Sequence, residues 1–167
     1  MTESVLSHFN EKGEAAMVNV AEKQATQRCA IAGCEVRMKP ETFKALKEGN
    51  IKKGDAFTVA KTAGILAAKR TFELIPLCHP LPLDWIEIRF SDLSDAAGVF
   101  IECEVGTTAK TGVEMEALTG SAVAALTIYD MAKSFDPAMT ITRLHLIQKS
   151  GGKHDYSVNQ SWNRNGE

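Results

Sequence analysis

The spacing of apolar residues changes in a set order along this chain, and that order constrains the fold more than any other feature. Three segments, 30–38, 86–90 and 99–105, place an apolar residue at every second position, as half-buried strands do. A short polar connection containing Gly98 joins the second and third segments, which predicts a hairpin. A last strand is predicted at about 141–146, where the alternation is imperfect.

Helical segments lie between the first strand and the hairpin, and between the hairpin and the last strand. Pro40 opens a short helix that Gly49 closes, and Asp55 is a suitable N-cap for a second helix over about 56–71. The longest periodic segment predicts a helix over about 114–134. Small residues on the second helix allow another backbone to approach closely, within the chain or in a partner subunit. These residues are Ala60, Ala63, Gly64, Ala67 and Ala68.

A stiff, non-helical segment is predicted at 75–82, because three prolines there fix φ and lack an N–H group. They are Pro76, Pro80 and Pro82. The resulting order, β-α-β-β-α-β, predicts an α+β ferredoxin-like fold, in which the helices pack on one face of an antiparallel sheet. With 167 residues, of which 44% are hydrophobic, the chain suits a single domain over 1–167. The polar ends at about 1–12 and 156–167 are expected to be loose.

The charge balance restricts the partners of this chain. Its 19 basic and 21 acidic residues give a net charge of -2, so no global field would draw it to nucleic acid or to an anionic membrane. Residues 1–10 do not resemble a targeting segment and no apolar run approaches the thickness of a bilayer, so we expect a cytoplasmic protein. The four cysteines lack paired spacing and are expected to be free thiols: Cys29, Cys34, Cys78 and Cys103.

Asp130 and Lys133 lie one turn apart on the longest predicted helix. The surrounding helix face is partly apolar, which would raise the pKa of the Asp130 carboxyl, whereas the Lys133 ammonium would lower it. Opposed influences of this kind can tune a group for proton transfer. The same spacing is compatible with an ordinary salt bridge on a solvated helix edge.

His79 follows Cys78 within the proline-rich segment. Adjacent side chains of an extended segment point to opposite faces, which disfavours a Cys–His nucleophile. The other thiols and histidines lack the spacing of metal ligands, so no metal site is predicted. A histidine in a stiff loop is a candidate hydrogen-bond donor to a ligand, or else a structural residue.

Two basic segments are candidates for anion binding. Segment 149–153, Lys-Ser-Gly-Gly-Lys, begins at Lys149 and has glycines that can aim N–H groups at an anion, and Lys53 precedes a helix N-terminus. Either segment can instead be a solvated turn. Glu114 and Glu116 can accept hydrogen bonds from the N–H edge of a guanine or pterin ring. Alternatively, they only stabilise the helix by interacting with the positive end of its dipole.

Seven segments occur with the residues and in the order of one family. They include Leu-Ile-Pro-Leu-Cys-His-Pro-Leu at 74–81 and Lys-Thr-Gly-Val-Glu-Met-Glu-Ala-Leu-Thr at 110–119. The other five are 53–55, 63–65, 67–71, 123–131 and 149–153. In these segments the chain resembles the MoaC family, the cyclic pyranopterin monophosphate synthases of molybdenum cofactor biosynthesis. The resemblance covers nearly everything from about 13 to 153.

The resemblance implies an enzyme of the phosphorus–oxygen lyase class that uses general acid/base catalysis and no cofactor. Its implied substrate is (8S)-3′,8-cyclo-7,8-dihydroguanosine 5′-triphosphate, and its products are cyclic pyranopterin monophosphate and pyrophosphate. It also implies a homo-oligomer, expected as a hexamer built as a trimer of dimers, with active sites at subunit interfaces.

Individual roles follow from the matching positions. The resemblance implies catalytic roles for Asp130, Lys133 and Lys53. It implies substrate contacts for Leu77, Cys78, His79, Glu114, Met115, Glu116 and Lys149. The chain departs from the family pattern at Asn19, where Asp is more frequent, at Lys61, where Arg is frequent, and at Ala132, where Cys is common. Asn19 makes the role of the N-terminal segment an open question.

Two other functions are compatible with a ferredoxin-like sheet. An RNA-binding module needs aromatic and basic residues on the central strands, whereas the predicted strands of this chain carry mainly Phe100, accompanied by the acids Glu102 and Glu104. A regulatory subunit would bind the nucleotide without converting it, and would not need the Asp130–Lys133 pair. Release of pyrophosphate from the cyclised substrate distinguishes an enzyme from such a subunit.

Overall fold

A computed structural model describes residues 12–158 as a five-stranded sheet with helices on one face. The elements are β1 (Thr26–Arg37), α1 (Pro40–Lys47), α2 (Ala56–Lys69), α3 (Thr71–Leu74), β2 (Trp85–Asp92), β3 (Gly98–Ala109), α4 (Glu114–Ala132), β4 (Thr140–Ser150) and β5 (Tyr156–Ser157). The strand order is β2-β3-β1-β4-β5, and all neighbouring strands are antiparallel. The predicted ferredoxin-like fold is confirmed, with α3 and β5 as additions.

The core lies between the sheet and α4. Alternate residues of β1 and β3 are fully buried, because a strand turns every second side chain to the same face. These residues are Ala30, Ala32, Cys34, Val36, Val99, Ile101, Cys103 and Val105. Helix α4 packs on β1, β3 and β4, and α2 packs on α4 and β2.

The small residues of α2 are explained by close contact with α4 in the same chain. A methyl group on Gly64 would lie 2.7 Å from the carbonyl oxygen of Gly120 and would overlap Ile88. Ala60 and Ala68, one turn to either side of Gly64, are buried as well. The expected close packing is confirmed, and α4 provides the packing partner.

The caps of the first two helices are as predicted, but the end of the second is not. Asp55 accepts hydrogen bonds from the backbone N–H groups of Phe57 and Thr58, both at 3.1 Å, and Gly49 follows α1 with a φ of 69°. The expected helix to residue 71 instead ends at Lys69, and α3 begins at Thr71. Arg70 between them leaves helical geometry, with φ -113° and ψ 16°.

The last predicted strand is longer than expected and irregular. Its register against β1 shifts between Ile31 and Ala32 and again between Gly33 and Glu35, with one extra residue of β4 at each shift. A bulge reverses the face that the following side chains occupy, which explains why the alternation was imperfect. Part of the predicted loose C-terminal end, Tyr156–Ser157, pairs with Gln148 and Lys149 as β5. The remainder of both predicted loose ends, apart from residue 12 and Val158, lies outside the described residues.

Candidate active site

Lys53 and Lys133 both contact the carboxylate of Asp130 at the C-terminal end of α4. The Lys53 ammonium lies 2.8 Å from Oδ2 of Asp130, and the Lys133 ammonium lies 2.7 Å from Oδ1. Lys53 also donates to the backbone carbonyl of Asp130 at 2.8 Å. The turn before α2 brings Lys53 to this position, because Gly54 adopts a φ of 99° and its N–H bonds to Ile51. The three residues predicted to be catalytic therefore form one cluster.

The electrostatics of this cluster differ from the prediction in one respect. Hydrogen bonds from Lys133 and then Lys53 lower the pKa of the Asp130 carboxyl to about 2. The Asp130 side chain is 54% exposed, so the expected rise of its pKa by an apolar helix face was wrong. The reason is position, since Asp130 lies on the solvent-facing side of the last turn of α4, whose residues Met131 and Ala132 are buried. The carboxylate is ionised at neutral pH and raises the pKa of Lys133 in return.

A second cluster lies at the N-terminal end of α4. The Lys149 ammonium is 3.0 Å from Oε1 of Glu114, and the next acid along, Glu116, is only 4% exposed. Burial, with a smaller contribution from Glu114, raises the pKa of the Glu116 carboxyl to about 7. Met115 between them is exposed at 37%. A carboxyl with this pKa exchanges its proton near neutral pH, which suits acid/base chemistry.

The proline-rich segment lies beside this second cluster. Burial, and then the charge of Glu116, raise the pKa of the Cys78 thiol, so Cys78 is a protonated neighbour of that carboxyl. His79 Nε2 lies 2.9 Å from the carbonyl oxygen of Val18, and since a carbonyl only accepts, this nitrogen carries the proton. This bond to a backbone carbonyl agrees with the structural alternative for His79, and its contact with a ligand stays a prediction. Leu77 is half-buried in the same segment.

A cavity of about 240 Å³ opens at this end of α4. Five basic side chains line it against a single acid, Glu114, in a chain whose net charge is -2. The basic residues are Lys23, Arg28, Lys110, Lys149 and Lys153. Of these, Lys23, Arg28 and Lys110 were missed as site residues. Lys110 is the first residue of the longest matching segment, a signal that the sequence did contain.

Two glycines let the loop after β4 approach β1. A methyl group on Gly151, whose φ is 82°, would overlap the carbonyl oxygen of Gln27, and one on Gly152 would lie 2.9 Å from a guanidinium nitrogen of Arg28. Thr26 Oγ1 donates to the Gly151 carbonyl at 3.0 Å. The glycines were expected to aim N–H groups at an anion, but the Gly151 N–H bonds to Asp155. The absence of side chains at these two positions lets the lysine-bearing loop approach Gln27 and Arg28 closely.

The predicted site residues thus fall into two groups within one chain. Glu114 and Asp130 are 16 residues apart on α4, a distance of roughly 24 Å along the helix axis at 1.5 Å per residue. Lys149 contacts Glu114, in the cluster at the N-terminal end of α4. A ligand that contacts both groups within one chain would have to span this distance.

Neither a metal centre nor a membrane span is found in the part of the chain that the structure describes. Within 12–158, no three His, Cys, Asp or Glu residues are grouped so as to hold a metal ion. None of the helices in the same range is long and apolar enough to cross a membrane. All four cysteines are free thiols, as expected, and burial raises the pKa of Cys34 and of Cys103 to about 12.

Comparisons with known proteins identify the family. The model of the MoaC family matches residues 17–152. A cyclic pyranopterin monophosphate synthase of Thermomicrobium roseum is 53% identical over 148 residues, which cover 89% of each chain. Its counterpart in Brevibacillus brevis is also 53% identical over 148 residues, 89% of this chain and 92% of the relative. That of Heliobacterium modesticaldum is 50% identical over 155 residues, 93% and 98% of the two chains. The chain belongs to the MoaC family.

Proposed function

We propose that this protein converts (8S)-3′,8-cyclo-7,8-dihydroguanosine 5′-triphosphate to cyclic pyranopterin monophosphate and pyrophosphate, a lyase reaction of molybdenum cofactor biosynthesis. Family membership and the names of relatives that match about nine-tenths of the chain support this activity. The observation that carries it is the basic cavity beside Glu114 and Glu116. The basic side chains suit the triphosphate of the substrate, and the two carboxyl groups suit its purine-derived ring.

The cavity offers separate contacts for the two parts of the substrate. Lys149 and its basic neighbours can neutralise triphosphate oxygens, with charge-assisted hydrogen bonds that are stronger than neutral ones. Glu114 and Glu116 can accept from the N–H edge of the ring, while Met115 contributes an apolar contact. Three further contacts are proposed in the adjoining segment, from Leu77, Cys78 and His79.

The Asp130 cluster supplies the proposed proton transfers. Asp130 is ionised and holds the ammonium groups of Lys53 and Lys133 in place by hydrogen bonds. These ammonium groups can donate protons as the imidazole-derived ring opens and the pyrazine ring closes, while the Asp130 carboxylate holds the Lys133 donor in position. When an oxygen of the sugar-derived part attacks the α-phosphorus, nearby lysines stabilise the departing pyrophosphate. The reaction needs no cofactor in this scheme.

The separation of the two groups supports an active site at a subunit interface. In a two-fold symmetric dimer, one subunit can place its Asp130 cluster at the cavity of the other, and symmetry then produces two identical composite sites. Three such dimers would form the hexamer that the family resemblance implies. A cavity of about 240 Å³ is smaller than the roughly 300–1,000 Å³ usual for ligand sites, which supports completion by a second subunit.

A cytoplasmic location is proposed as well. The four free thiols suit a reducing compartment, where disulfides are rare. The chain would then work where nucleotide triphosphates are available.

Incubation of the purified protein with the cyclised triphosphate tests the proposed function. We expect stoichiometric release of pyrophosphate together with cyclic pyranopterin monophosphate, both measured by chromatography and mass spectrometry. Binding of the substrate without release of pyrophosphate would reject the proposal and favour a regulatory subunit. Size-exclusion chromatography with light scattering measures the oligomer, and a monomer at micromolar concentration would reject the composite site.

A further inference from the structure

Segment 18–23 runs beside the cavity and is fastened at two points by side chains of the proposed site. His79 Nε2 donates to the carbonyl of Val18 at 2.9 Å, and the Lys110 ammonium donates to the carbonyl of Ala21 at 2.7 Å. Between these points, Asn19 Oδ1 accepts from the Ala21 N–H at 2.9 Å and closes an Asx turn. The segment therefore spans from the proline-rich loop to the connection between β3 and α4.

Polar contacts, and not apolar burial, hold this segment. Val18 and Val20 are half-buried, whereas Asn19, Ala21 and Lys23 are exposed. A second turn, with the Lys23 N–H bonded to the Val20 carbonyl at 3.1 Å, directs Lys23 to the cavity wall. A segment that buries so little apolar surface has low local stability, so one additional contact can shift its population.

An anion bound in the basic cavity would provide such a contact. Closure of the segment brings Lys23 to a wall that already carries Arg28, Lys110, Lys149 and Lys153, and like charges at short range oppose this. A polyphosphate anion in the cavity would turn the repulsion into attraction. An ammonium group has three donors, so Lys110 can hold the Ala21 carbonyl and a phosphate oxygen at the same time.

We propose that segment 18–23 is a strap that closes over the cavity when a polyphosphate occupies it. Lys110 is the positioning residue that joins strap and anion, and Lys23 is a further anion contact. The identity of the anion rests on the proposed function, whose substrate carries a triphosphate and whose product is pyrophosphate. Because coupling between two equilibria is reciprocal, the anion stabilises the closed strap by the same factor as the strap strengthens anion binding.

Hydrogen exchange and calorimetry on the full-length protein, with inorganic pyrophosphate as the probe, test this inference. We expect pyrophosphate to slow the amide exchange of a peptide covering 13–25 by at least about fivefold. Asn19→Ala should weaken pyrophosphate binding by about fivefold, although Asn19 does not line the cavity. Lys110→Met should weaken binding by at least about tenfold and abolish the protection, while Lys110→Arg should retain both.

A matched lysine variant controls for the loss of one positive charge. Lys44→Ala removes a side chain on α1 that is 74% exposed, and it should leave both measurements unchanged. Unaltered exchange at saturating pyrophosphate, wild-type affinity in Asn19→Ala, or no binding at millimolar pyrophosphate would each overturn the strap. Turnover of the cyclised substrate without protection of 13–25 would reject the strap alone. Protection without turnover would reject the proposed function alone.

Discussion

Lys53 contacts Asp130 twice, because its ammonium lies 2.8 Å from the carboxylate and 2.8 Å from the backbone carbonyl of the same residue. The carbonyls of a last helical turn lack partners within the helix and carry its partial negative charge. Lys53 therefore also stabilises the end of α4 and ties it to the start of α2. A residue proposed to be catalytic thus has a structural contact as well, so Asp130 is the better residue to replace first.

Replacement of Asp130 by Asn should abolish most of the turnover. The amide keeps the shape of the side chain but removes the charge that holds the two ammonium groups, so we expect kcat to fall at least about 100-fold. KM should change less than about threefold, since the proposed substrate contacts lie elsewhere. Steady-state pyrophosphate release measures both quantities.

Asp92→Asn is a matched control for this variant. Asp92 has the same side-chain exposure as Asp130, 54%, and pairs with Lys47 at the same 2.8 Å that separates Asp130 from Lys53. It should retain normal activity. A normal rate in Asp130→Asn would contradict the assignment.

The buried carboxyl of Glu116 should make the stability of the fold depend on pH. Its pKa is raised from 4.5 to about 7, so the folded state holds a proton that the unfolded state has lost. The contribution of this proton to the stability of the folded state is complete below pH 4.5 and is lost as the pH rises through 7. The free energy of unfolding thereby falls by about 3 kcal/mol. Urea unfolding at pH 5 and pH 8 should therefore show a loss in the wild type that Glu116→Gln lacks. Equal pH dependence in the two proteins would contradict a raised pKa.

Mixed oligomers should recover activity lost in two single variants. Asp130→Asn damages one group of the composite site and Lys149→Ala the other, so a mixed dimer has one intact site and one doubly altered site. Random mixing of equal amounts should restore about a quarter of the wild-type sites.

Co-expression with different affinity tags, followed by the pyrophosphate assay, measures this recovery. Two variants of the same group, Asp130→Asn with Lys133→Ala, should show none and serve as the control. No recovery in verified mixed oligomers would contradict the interfacial site.

Gly64→Ala should destabilise the fold, although alanine is normally the better helix former. The added methyl would collide with the Gly120 carbonyl and with Ile88, which forces α2 away from α4 at a cost of about 1–3 kcal/mol. Val59→Ala, at a position of α2 that is 43% exposed, should cost less than about 1 kcal/mol. Thermal unfolding of both variants measures the difference, and an unchanged Tm in Gly64→Ala would contradict this packing.

Local chemistry was sufficient to predict most elements of this fold. Asp55 and Gly49 mark helix boundaries through their own hydrogen bonds and backbone angles, and alternation along β1 and β3 identifies the core face. These signals depend on neighbours in sequence. The bulges of β4 could not be predicted, because they arise from its pairing with β1.

The candidate site also has features that the sequence determined and features that only the tertiary structure decided. The sequence by itself determined the family, because seven matching segments identify the chain as MoaC, and from them it predicts which lysines, acids and histidine carry chemistry. Only the tertiary structure decided the environment of each: it exposes Asp130, buries Glu116, and adds Lys23, Arg28 and Lys110 to the cavity wall. The physical reason is that ionisation depends on burial and on charges from distant segments, and spacing along one helix contains neither.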